Sequence, residues 1–152
     1  MIEELERLTA EAATLHSKLI LLVGHPHAGK TTLLKALGKR VGAEPLNVGV
    51  QLGIRLAGLP HKQRSLEAGA ILQDLANQHV KEDLLLVDDI ELLFDRSLQL
   101  DPLDLLKRLA RARRTVAVWP GELRDGRLTY ADMGHPERQN YGLEGLVPFE
   151  VK

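Results

Sequence analysis

The residues best suited to chemistry form one short run, Gly24-His25-Pro26-His27-Ala28-Gly29-Lys30-Thr31. This run matches the pattern G-x-x-x-x-G-K-S/T, a loop whose backbone N–H groups surround phosphate oxygens. Gly24 and Gly29 permit a tight turn and leave no Cβ between the backbone and the phosphate. Lys30 can reach the β- and γ-phosphates, and Thr31 can ligate Mg²⁺. The run therefore predicts a site for ATP, or another nucleoside triphosphate, together with Mg²⁺.

Such a loop requires a strand before it and a helix after it. Leu19-Ile20-Leu21-Leu22-Val23 is a continuous apolar run, typical of a strand buried on both faces. Apolar residues then follow between 33 and 37 at helical spacing, and Gly42 marks a helix end. A helix that begins near Gly29 directs its unpaired N–H groups and positive dipole end at the anion. The predicted nucleotide contacts are Gly24, His25, Pro26, His27, Ala28, Gly29, Lys30, Thr31 and Thr32.

Acidic residues follow the second long apolar run, Leu84-Leu85-Leu86-Val87. An acid at the end of a buried strand completes a Walker B pattern beside the Walker A loop. We predict that Asp88 holds Mg²⁺ directly or through water. Asp89 and Glu91 are the two candidates for the base that orients an attacking water. The alternative is that these acids only cap the segment that follows them.

Strands and helices alternate along the chain, which predicts an α/β fold with a P-loop NTPase-type parallel sheet flanked by helices. Between Gly49 and Ser65 the pattern is ambiguous, because Gly53, Gly58 and Pro60 disfavour the helix that 51–59 would otherwise form. The remaining predicted elements are an amphipathic helix over 2–16, a strand over 45–48, a polar loop over 61–64, a helix over 66–79 capped by Ser65, a helix over 102–112 capped by Asp101, a strand over 115–119, a hairpin over 123–130, a loop over 134–145 and a last strand over 146–151.

Length and composition limit the classes of protein that the chain can represent. Its 152 residues predict a single domain over 1–152, and no helical lid is expected after residue 120. There is no cysteine, which excludes thiolate chemistry and disulfides. The apolar run at 19–23 is too short to span a bilayer, and no signal peptide opens the chain. We therefore expect a cytoplasmic protein that makes no membrane contact.

Basic residues cluster at the end of the predicted helix over 102–112. They are Lys107, Arg108, Arg111, Arg113 and Arg114. Cations at a helix C-terminus stabilise its dipole, which accounts for them without any partner. The alternative is contact with DNA phosphates or with an acidic protein surface. The net charge of −1 favours neither of these two interpretations of the basic cluster.

The dipeptide His135-Pro136 indicates a turn rather than a metal site.

With these residues assembled, the chain resembles the BrxF family, small P-loop proteins of type 3 BREX bacteriophage-exclusion systems. The resemblance extends over the whole chain. It is carried by the N-terminal helix, the loop at 24–31, the run from Leu86 to Asp95, Asp101-Pro102, Gly121-Glu122, Asp125-Gly126, Leu128-Thr129-Tyr130 and Gly134-His135-Pro136-Glu137. It implies a role in antiviral defence of a bacterial cell, with other BREX proteins and further copies of the chain as partners.

The resemblance also implies a minimal relative of AAA+-type ATPases. Such ATPases place a polar sensor residue after the strand that follows Walker B, whereas this chain has Trp119-Pro120. Glu122 and Thr115 are the alternative candidates for the role of this sensor residue. We expect a weak ATPase whose site is completed by a neighbouring subunit or partner, with an arginine finger such as Arg96 or Arg138. Two other functions are considered: a nucleotide-binding interaction module that does not hydrolyse, and a small-molecule kinase.

Overall fold

The computed structural model describes residues 1–14, 17–130 and 140–152. The helices are α1 (Ile2–Glu11), α2 (Lys30–Val41), α3 (Val48–Ala57), α4 (His61–His79) and α5 (Pro102–Ala112). The strands are β1 (Leu19–Val23), β2 (Leu46–Asn47), β3 (Leu84–Asp88), β4 (Arg114–Val118), β5 (Leu123–Arg124), β6 (Arg127–Thr129), β7 (Asn140–Tyr141) and β8 (Val147–Glu150). Two short 3₁₀ helices, Glu91–Phe94 and Arg96–Leu98, follow β3.

A parallel sheet of five strands, in the order β2-β3-β4-β1-β8, forms the centre of the protein. Its pairings β2·β3, β3·β4, β4·β1 and β1·β8 are all parallel. A second, antiparallel sheet contains β5, β6 and β7. The predicted α/β class, with a parallel sheet flanked by helices and a C-terminal hairpin, is therefore confirmed.

Alternate residues of the central strands pack on opposite faces of the sheet. Leu21 and Val87 belong to the core cluster that contains α3, α4 and α5. Leu22 and Leu86 belong to the cluster on the other face, with α1 and α2. Burial on both faces explains why these strands read as continuous apolar runs and not as alternating patterns.

The predicted helix boundaries are confirmed where capping signals are strong. The Asp101 side chain accepts a hydrogen bond from Asp104 N at 3.1 Å and caps α5, whose first residue is Pro102. Gly42 ends α2 with φ 72°, a conformation that favours glycine. Both boundaries follow from backbone preferences that act within a few residues.

The predicted loop over 61–64 is wrong, and so is the predicted cap at Ser65. Helix α4 begins at His61, directly after Pro60, and Ser65 lies inside it. The apolar face of α4 contains Ala68 and Leu72, which pack on the core. The polar first turn of this helix is mostly exposed. A polar run was mistaken for a loop because it is the solvated start of an amphipathic helix.

Smaller differences concern β2, α1 and the second sheet. The strand predicted over 45–48 contains only Leu46–Asn47, because Asn47 caps α3 by accepting a hydrogen bond from Val50 N at 2.9 Å. Helix α1 ends at Glu11, and residues 15 and 16, including Leu15, lie outside the described residues. Within the loop predicted over 134–145, residues 140 and 141 form β7, and 134–139 lie outside the described residues.

Two further observations concern the helices of the described residues. In the described segments after β4, 119–130 and 140–152, the structure contains no helix. Across the part of the chain that the structure describes, no helix combines the length and the apolar character needed to cross a bilayer.

Substitution of two helical glycines tests the packing of the sheet against its helices. A Cβ on Gly38 in α2 would lie 2.5 Å from the backbone oxygen of Ala43, whereas at Gly53 in α3 the nearest atom is 4.0 Å away. We expect Gly38→Ala to lower the free energy of unfolding. Gly53→Ala should raise it by about 0.5–1 kcal/mol, because alanine favours a helix. Urea denaturation followed by circular dichroism measures both, and equal shifts in one direction would contradict this packing.

Candidate functional site

The glycine-rich loop and the acidic residues meet at the carboxyl edge of the central sheet. Because β1, β3 and β4 are parallel, the segments that follow them leave the sheet at the same edge. These segments surround a cavity of about 710 Å³, which we call the phosphate cavity. The predicted site residues that line it are Gly24, Pro26, His27, Gly29, Lys30, Thr31, Thr32, Asp88, Asp89 and Glu91.

The two motif glycines are needed for different reasons. Gly24 has φ 148°, and a Cβ there would lie 2.5 Å from the backbone oxygen of Val151. Gly29 has φ 93° and caps α2, but a Cβ there would meet nothing within 4 Å. Gly24 therefore allows close contact between the loop and the end of β8, whereas Gly29 supplies a left-handed turn.

The ammonium group of Lys30 is buried and bonded entirely to backbone oxygens. Lys30 is only 7% exposed. Its Nζ donates to Gly24 O and Trp119 O, both at 2.8 Å, and to Gly121 O at 3.4 Å. Burial lowers the pKa of Lys30, and the negative charges of Glu91, Glu122 and Asp88 oppose this shift. All three of its N–H donors already have acceptors.

Thr31 and Asp88 provide a pair of oxygen donors suited to Mg²⁺. Thr31 Oγ1 donates a hydrogen bond to Asp88 Oδ1 at 3.2 Å. A hydroxyl and a carboxylate are hard ligands, and Mg²⁺ usually combines one or two such protein groups with phosphate oxygens and water. The residues present therefore fit this ion. Among residues 1–14, 17–130 and 140–152, no group of three or more His, Asp or Glu side chains could hold a metal ion.

Asp89 occupies a constrained position between β3 and α3. Its φ is 55°, and its N–H donates to Asp88 Oδ1 at 2.8 Å. Its backbone oxygen accepts a hydrogen bond from Gly49 N at 2.9 Å. Its carboxylate lies directly against the Cα of Gly49, where any Cβ would overlap it. The absence of a side chain at residue 49 therefore makes room for the Asp89 carboxylate.

Glu91 has an unusually high pKa for a carboxylic acid. Glu91 is exposed as a residue, but its carboxyl is partly desolvated, and this is the main cause that raises its pKa to about 7. A hydrogen bond with the Asp89 carboxyl and the charges of Asp89 and Asp88 raise it further, while Lys30 opposes them. Crowded carboxylates resist simultaneous ionisation, so the neighbouring acids favour the protonated form of Glu91.

The segment after β4 completes the cavity, a contribution that sequence reasoning largely missed. Val118, Pro120, Gly121 and Glu122 line the phosphate cavity. The backbone oxygens of Trp119 and Gly121 are acceptors for Lys30, and backbone acceptors leave no signature in side-chain type. Their only sequence signal is their place at the carboxyl end of a buried parallel strand.

The two proposed substitutes for a sensor residue have different positions. The side chain of Glu122 is 14% exposed and accepts hydrogen bonds from Arg124 Nη2 at 2.7 Å and Nε at 3.0 Å. His25 Nδ1 lies 2.7 Å from its other carboxylate oxygen. Thr115 lies near the start of β4, fully buried, and donates to Arg113 O at 3.3 Å. Glu122 is thus at the site, whereas Thr115 is not.

Aromatic packing connects the hairpin of β5 and β6 to both motifs. Trp119 is fully buried, and its Nε1 donates to Thr129 O at 3.0 Å. Phe94, at the end of the 3₁₀ helix that begins with Glu91, meets Trp119 edge-on at 5.5 Å and stacks on Tyr130 at 3.9 Å between ring centroids. The hairpin is therefore held on one side by a residue that contacts Lys30 and on the other by the helix that carries Glu91.

The remaining candidate residues lie elsewhere. His25 and Ala28 line a neighbouring cavity and not the phosphate cavity. Arg96 begins the second 3₁₀ helix and does not line the phosphate cavity, and Arg138 and His135 lie outside the described residues. Among the described residues, Lys30 is the only lysine or arginine that lines it.

Two members of the basic cluster have structural partners. Arg113 Nη2 donates to Asn77 Oδ1 at 2.7 Å, which joins α4 to the end of α5. Arg114 Nη1 donates to Thr9 O at 3.0 Å, which joins β4 to α1. Both arginines belong to the cluster that the sequence analysis considered as a possible contact with DNA phosphates. Arg108 Nε also lies 2.8 Å from Asp104 Oδ2 within α5. Contact with DNA stays a prediction, for which Lys107 and Arg111 are the remaining candidates.

Comparisons with known proteins place the fold. Neither models of protein families nor curated proteins give a match. Among solved structures, that of C. elegans PCH-2, an AAA+ ATPase, matches 99% of this chain with a TM-score of 0.51 and 16% identity. This chain spans 41% of the length of that chain. At this identity the match shows a shared fold, the P-loop α/β fold, and not a shared activity.

The coupled acids predict a pH dependence of stability. The pKa of Glu91 rises from 4.5 to about 7 on folding, so the folded state binds more protons than the unfolded state within this window. The contribution of Glu91 to stability in metal-free buffer should therefore fall as pH rises from about 4.5 to 7 and then level off. Glu91→Gln lacks this loss, so its stability relative to wild type should increase with pH. Urea denaturation between pH 4.5 and 8 measures the difference.

The control is Glu67→Gln, which removes an exposed carboxylate on α4 outside the cavity. Its stability curve should run parallel to that of wild type. A Glu91→Gln curve that also ran parallel would show that the carboxyl titrates in the same range in both states.

Proposed function

We propose that this protein is a nucleotide-dependent switch and assembly subunit that binds ATP with Mg²⁺ and hydrolyses it slowly. The observation that carries the proposal is the bonding of Lys30, which links the phosphate cavity to the hairpin. The phosphates of the nucleotide would lie on the backbone N–H groups of the loop at 24–31 and at the N-terminus of α2. Thr31 and Asp88 would hold Mg²⁺, which would supply charge neutralisation for phosphoryl transfer.

A change in Lys30 bonding gives the switch its physical basis. An ammonium group has three donors, and all three are used in bonds to Gly24, Trp119 and Gly121. A bond from Lys30 to a phosphate oxygen must therefore replace at least one of these bonds. The 3.4 Å bond to Gly121 is the longest and is the first to be lost. Binding thus changes the anchoring of the hairpin, where a partner can detect it.

Glu91 is the better candidate for the general base. Among the acids that oppose the lowered pKa of Lys30, Glu91 has the strongest effect, ahead of Glu122 and Asp88. Its carboxyl lines the phosphate cavity together with Lys30. Asp89 is held against Gly49 and shares a hydrogen bond with Glu91. We assign Glu91 as the base and Asp89 as the residue that positions it.

The charge in the phosphate cavity supports completion of the site by a second protein. Among the described residues, Lys30 faces four carboxylates in the lining, those of Asp88, Asp89, Glu91 and Glu122, with no arginine. A developing negative charge on the transferred phosphoryl group is best stabilised by an added cation. We therefore propose that an arginine from another copy of the chain or from a partner supplies it.

Substitution of the P-loop lysine tests nucleotide binding. Lys30→Ala removes the cation while leaving the loop backbone in place, so Mg·ATP affinity should fall by about 100-fold or more. Lys35→Ala is the matched control, because Lys35 is an exposed lysine on the same helix. Isothermal titration calorimetry measures affinity, and circular dichroism checks the fold. Unchanged affinity in a folded Lys30→Ala variant would contradict the assignment of the site.

Phosphate release tests hydrolysis and its dependence on assembly. Glu91→Gln should retain ATP binding and reduce turnover by about 100-fold, as expected for loss of a general base. Asp89→Asn should reduce turnover less, and Glu67→Gln should not change it. Turnover per subunit should rise with protein concentration or on addition of a partner or DNA. If ATP binds but is not hydrolysed under any condition, the protein is a nucleotide-binding interaction module without ATPase activity.

The only tryptophan of the chain, Trp119, reports on the switch. Its backbone oxygen accepts a hydrogen bond from Lys30 Nζ, and its indole Nε1 donates one to Thr129 O in the hairpin. We expect Mg·ATP to shift the fluorescence emission of Trp119 with the affinity that calorimetry gives. Lys30→Ala should show no shift. Calorimetric binding without any spectral change would show that the hairpin does not respond to nucleotide.

The biological setting is proposed from the resemblance to the BrxF family. We propose that the protein acts in phage defence beside other BREX proteins, and that the nucleotide state controls this association. A bacterium that carries the intact defence locus with Lys30→Ala should lose protection against phage, whereas Lys35→Ala should retain it. Equal protection with both variants would separate nucleotide binding from the defence role.

A further inference from the structure

A cavity remote from both nucleotide motifs, which we call the α5 cavity, lies between helix α5 and the second sheet. Its volume is about 570 Å³. The first turns of α5 form one wall, the turn between β5 and β6 forms another, and the segment from Tyr141 to Glu144 forms a third. Among the described residues, it shares no lining residue with the phosphate cavity. Its volume lies within the usual range of ligand sites in proteins.

Two cations line the α5 cavity without a partner of their own. They are Lys107, which is partly buried on α5, and Arg127, which is exposed on β6. Among the described residues, neither side chain has an ion-pair or hydrogen-bond partner. Arg108, the residue after Lys107, differs because its Nε lies 2.8 Å from Asp104 Oδ2. Lys107 and Arg127 are therefore available to an anionic ligand.

The acids of the α5 cavity are partly engaged already. Asp104 pairs with Arg108, and Asp101 Oδ1 accepts a hydrogen bond from Asp104 N at 3.1 Å. Glu144 is exposed, and with the remaining oxygen of Asp101 it offers acceptors to a ligand. Burial is the main cause that raises the pKa of Tyr141, and the charge of Asp101 adds to it, so this phenol stays protonated. The cavity thus presents two cations beside carboxylate acceptors.

This combination of charges favours an acidic peptide over a nucleic acid. A peptide carries backbone N–H donors for Asp101 and Glu144, and its own Asp or Glu side chains can pair with the two cations. The phosphodiester backbone of DNA offers acceptors alone, and the carboxylates of the cavity would repel its closely spaced charges. Leu103 and Leu143 add apolar wall against which peptide side chains can pack.

One residue connects the α5 cavity to Lys30. The ring of Tyr141 meets the ring of Trp119 edge-on, with 5.3 Å between the centroids. The backbone oxygen of Trp119 accepts a hydrogen bond from Lys30 Nζ at 2.8 Å. A ligand that contacts Tyr141 and a phosphate that contacts Lys30 therefore act on the same tryptophan.

We infer that the α5 cavity binds an acidic peptide segment of a partner protein, and that bound nucleotide changes the affinity for this segment. Lys107 and Arg127 pair with carboxylates of the segment, while Asp101 and Glu144 accept hydrogen bonds from its backbone. The docking site depends only on the charges of the cavity. The nucleotide dependence rests on the proposed function, because it requires the exchange of Lys30 bonds on ATP binding.

Selection from a displayed library of random decapeptides tests the docking site. Sequences recovered on the wild-type protein should be enriched in Asp and Glu. The tightest of them, labelled with fluorescein, should bind about 10-fold more weakly to Lys107→Gln/Arg127→Gln, because two charge-assisted hydrogen bonds are lost. Fluorescence anisotropy measures the affinity, and circular dichroism checks the fold.

The matched control is Arg7→Gln/Lys62→Gln, which removes the same charges from exposed positions outside the cavity. It should change the affinity by less than about two-fold. Recovered peptides without an excess of acids, or equal affinity for the two double variants, would overturn the docking site. Tighter binding of a labelled ten-nucleotide thymidine strand, lost in the cavity variant, would assign these cations to nucleic acid and overturn it too. If the cavity variant does not fold, Arg127→Gln alone decides, since Arg127 is exposed.

Anisotropy at saturating Mg·ATP tests the nucleotide dependence. The affinity for the peptide should change by at least about three-fold, and in calorimetry the peptide should change the affinity for Mg·ATP by the same factor. Unchanged peptide affinity with ATP bound would overturn the nucleotide dependence and leave the proposed ATP site intact. Absence of ATP binding would overturn the proposed function, whereas peptide binding that depends on Lys107 and Arg127 would still uphold the docking site.

Discussion

The structure of the site depends on one buried ammonium group. Lys30 joins two segments that are distant in sequence, because its bonds reach Gly24 at the start of its own loop and Trp119 and Gly121 in the chain after β4. A buried cation without acceptors would be strongly unfavourable, and these carbonyl oxygens supply the acceptors. The same bonds hold the chain that leads into the hairpin against the P-loop.

The balance of charge around Lys30 bears on the proposed roles of Mg²⁺ and of a second protein. Carboxylates at a carboxyl edge of a sheet resist the approach of a polyanion unless cations compensate for them. Desolvation, together with the neighbouring acids, lowers this negative charge in part, because both raise the pKa of Glu91 to about 7 and keep that group partly protonated near neutral pH. A cavity of this kind favours a metal-bound nucleotide over a free one. In the proposed ATPase, it would also make the rate of phosphoryl transfer sensitive to an arginine inserted by a neighbouring subunit.

Sequence patterns predicted the parts of the fold and site that short-range chemistry determines. The glycine-rich loop, the acids after β3 and the start of α5 at Pro102 all depend on spacing over a few residues. Two failures had a common physical origin. The helical start of α4 at His61 follows from the packing of Ala68 and Leu72 further along the same helix. The acceptor role of Trp119 follows from the approach of Lys30, which is distant in sequence, and neither feature is encoded by local side-chain type. The shared hydrogen bond of Asp89 and Glu91 likewise depends on a left-handed turn at Asp89 that tertiary contacts impose.

The missing side chain at Gly49 has a consequence for how this protein could diverge. Helix α3 lies outside both nucleotide motifs, yet the Cα of Gly49 forms the wall on which the Asp89 carboxylate rests. A single added methyl group there would displace that carboxylate, the neighbour of Glu91, without altering a residue of either motif. Mutational drift could thus silence hydrolysis and preserve nucleotide binding, through a position that no motif search inspects. Members of such a lineage would carry intact signatures and yet act only as nucleotide-bound scaffolds.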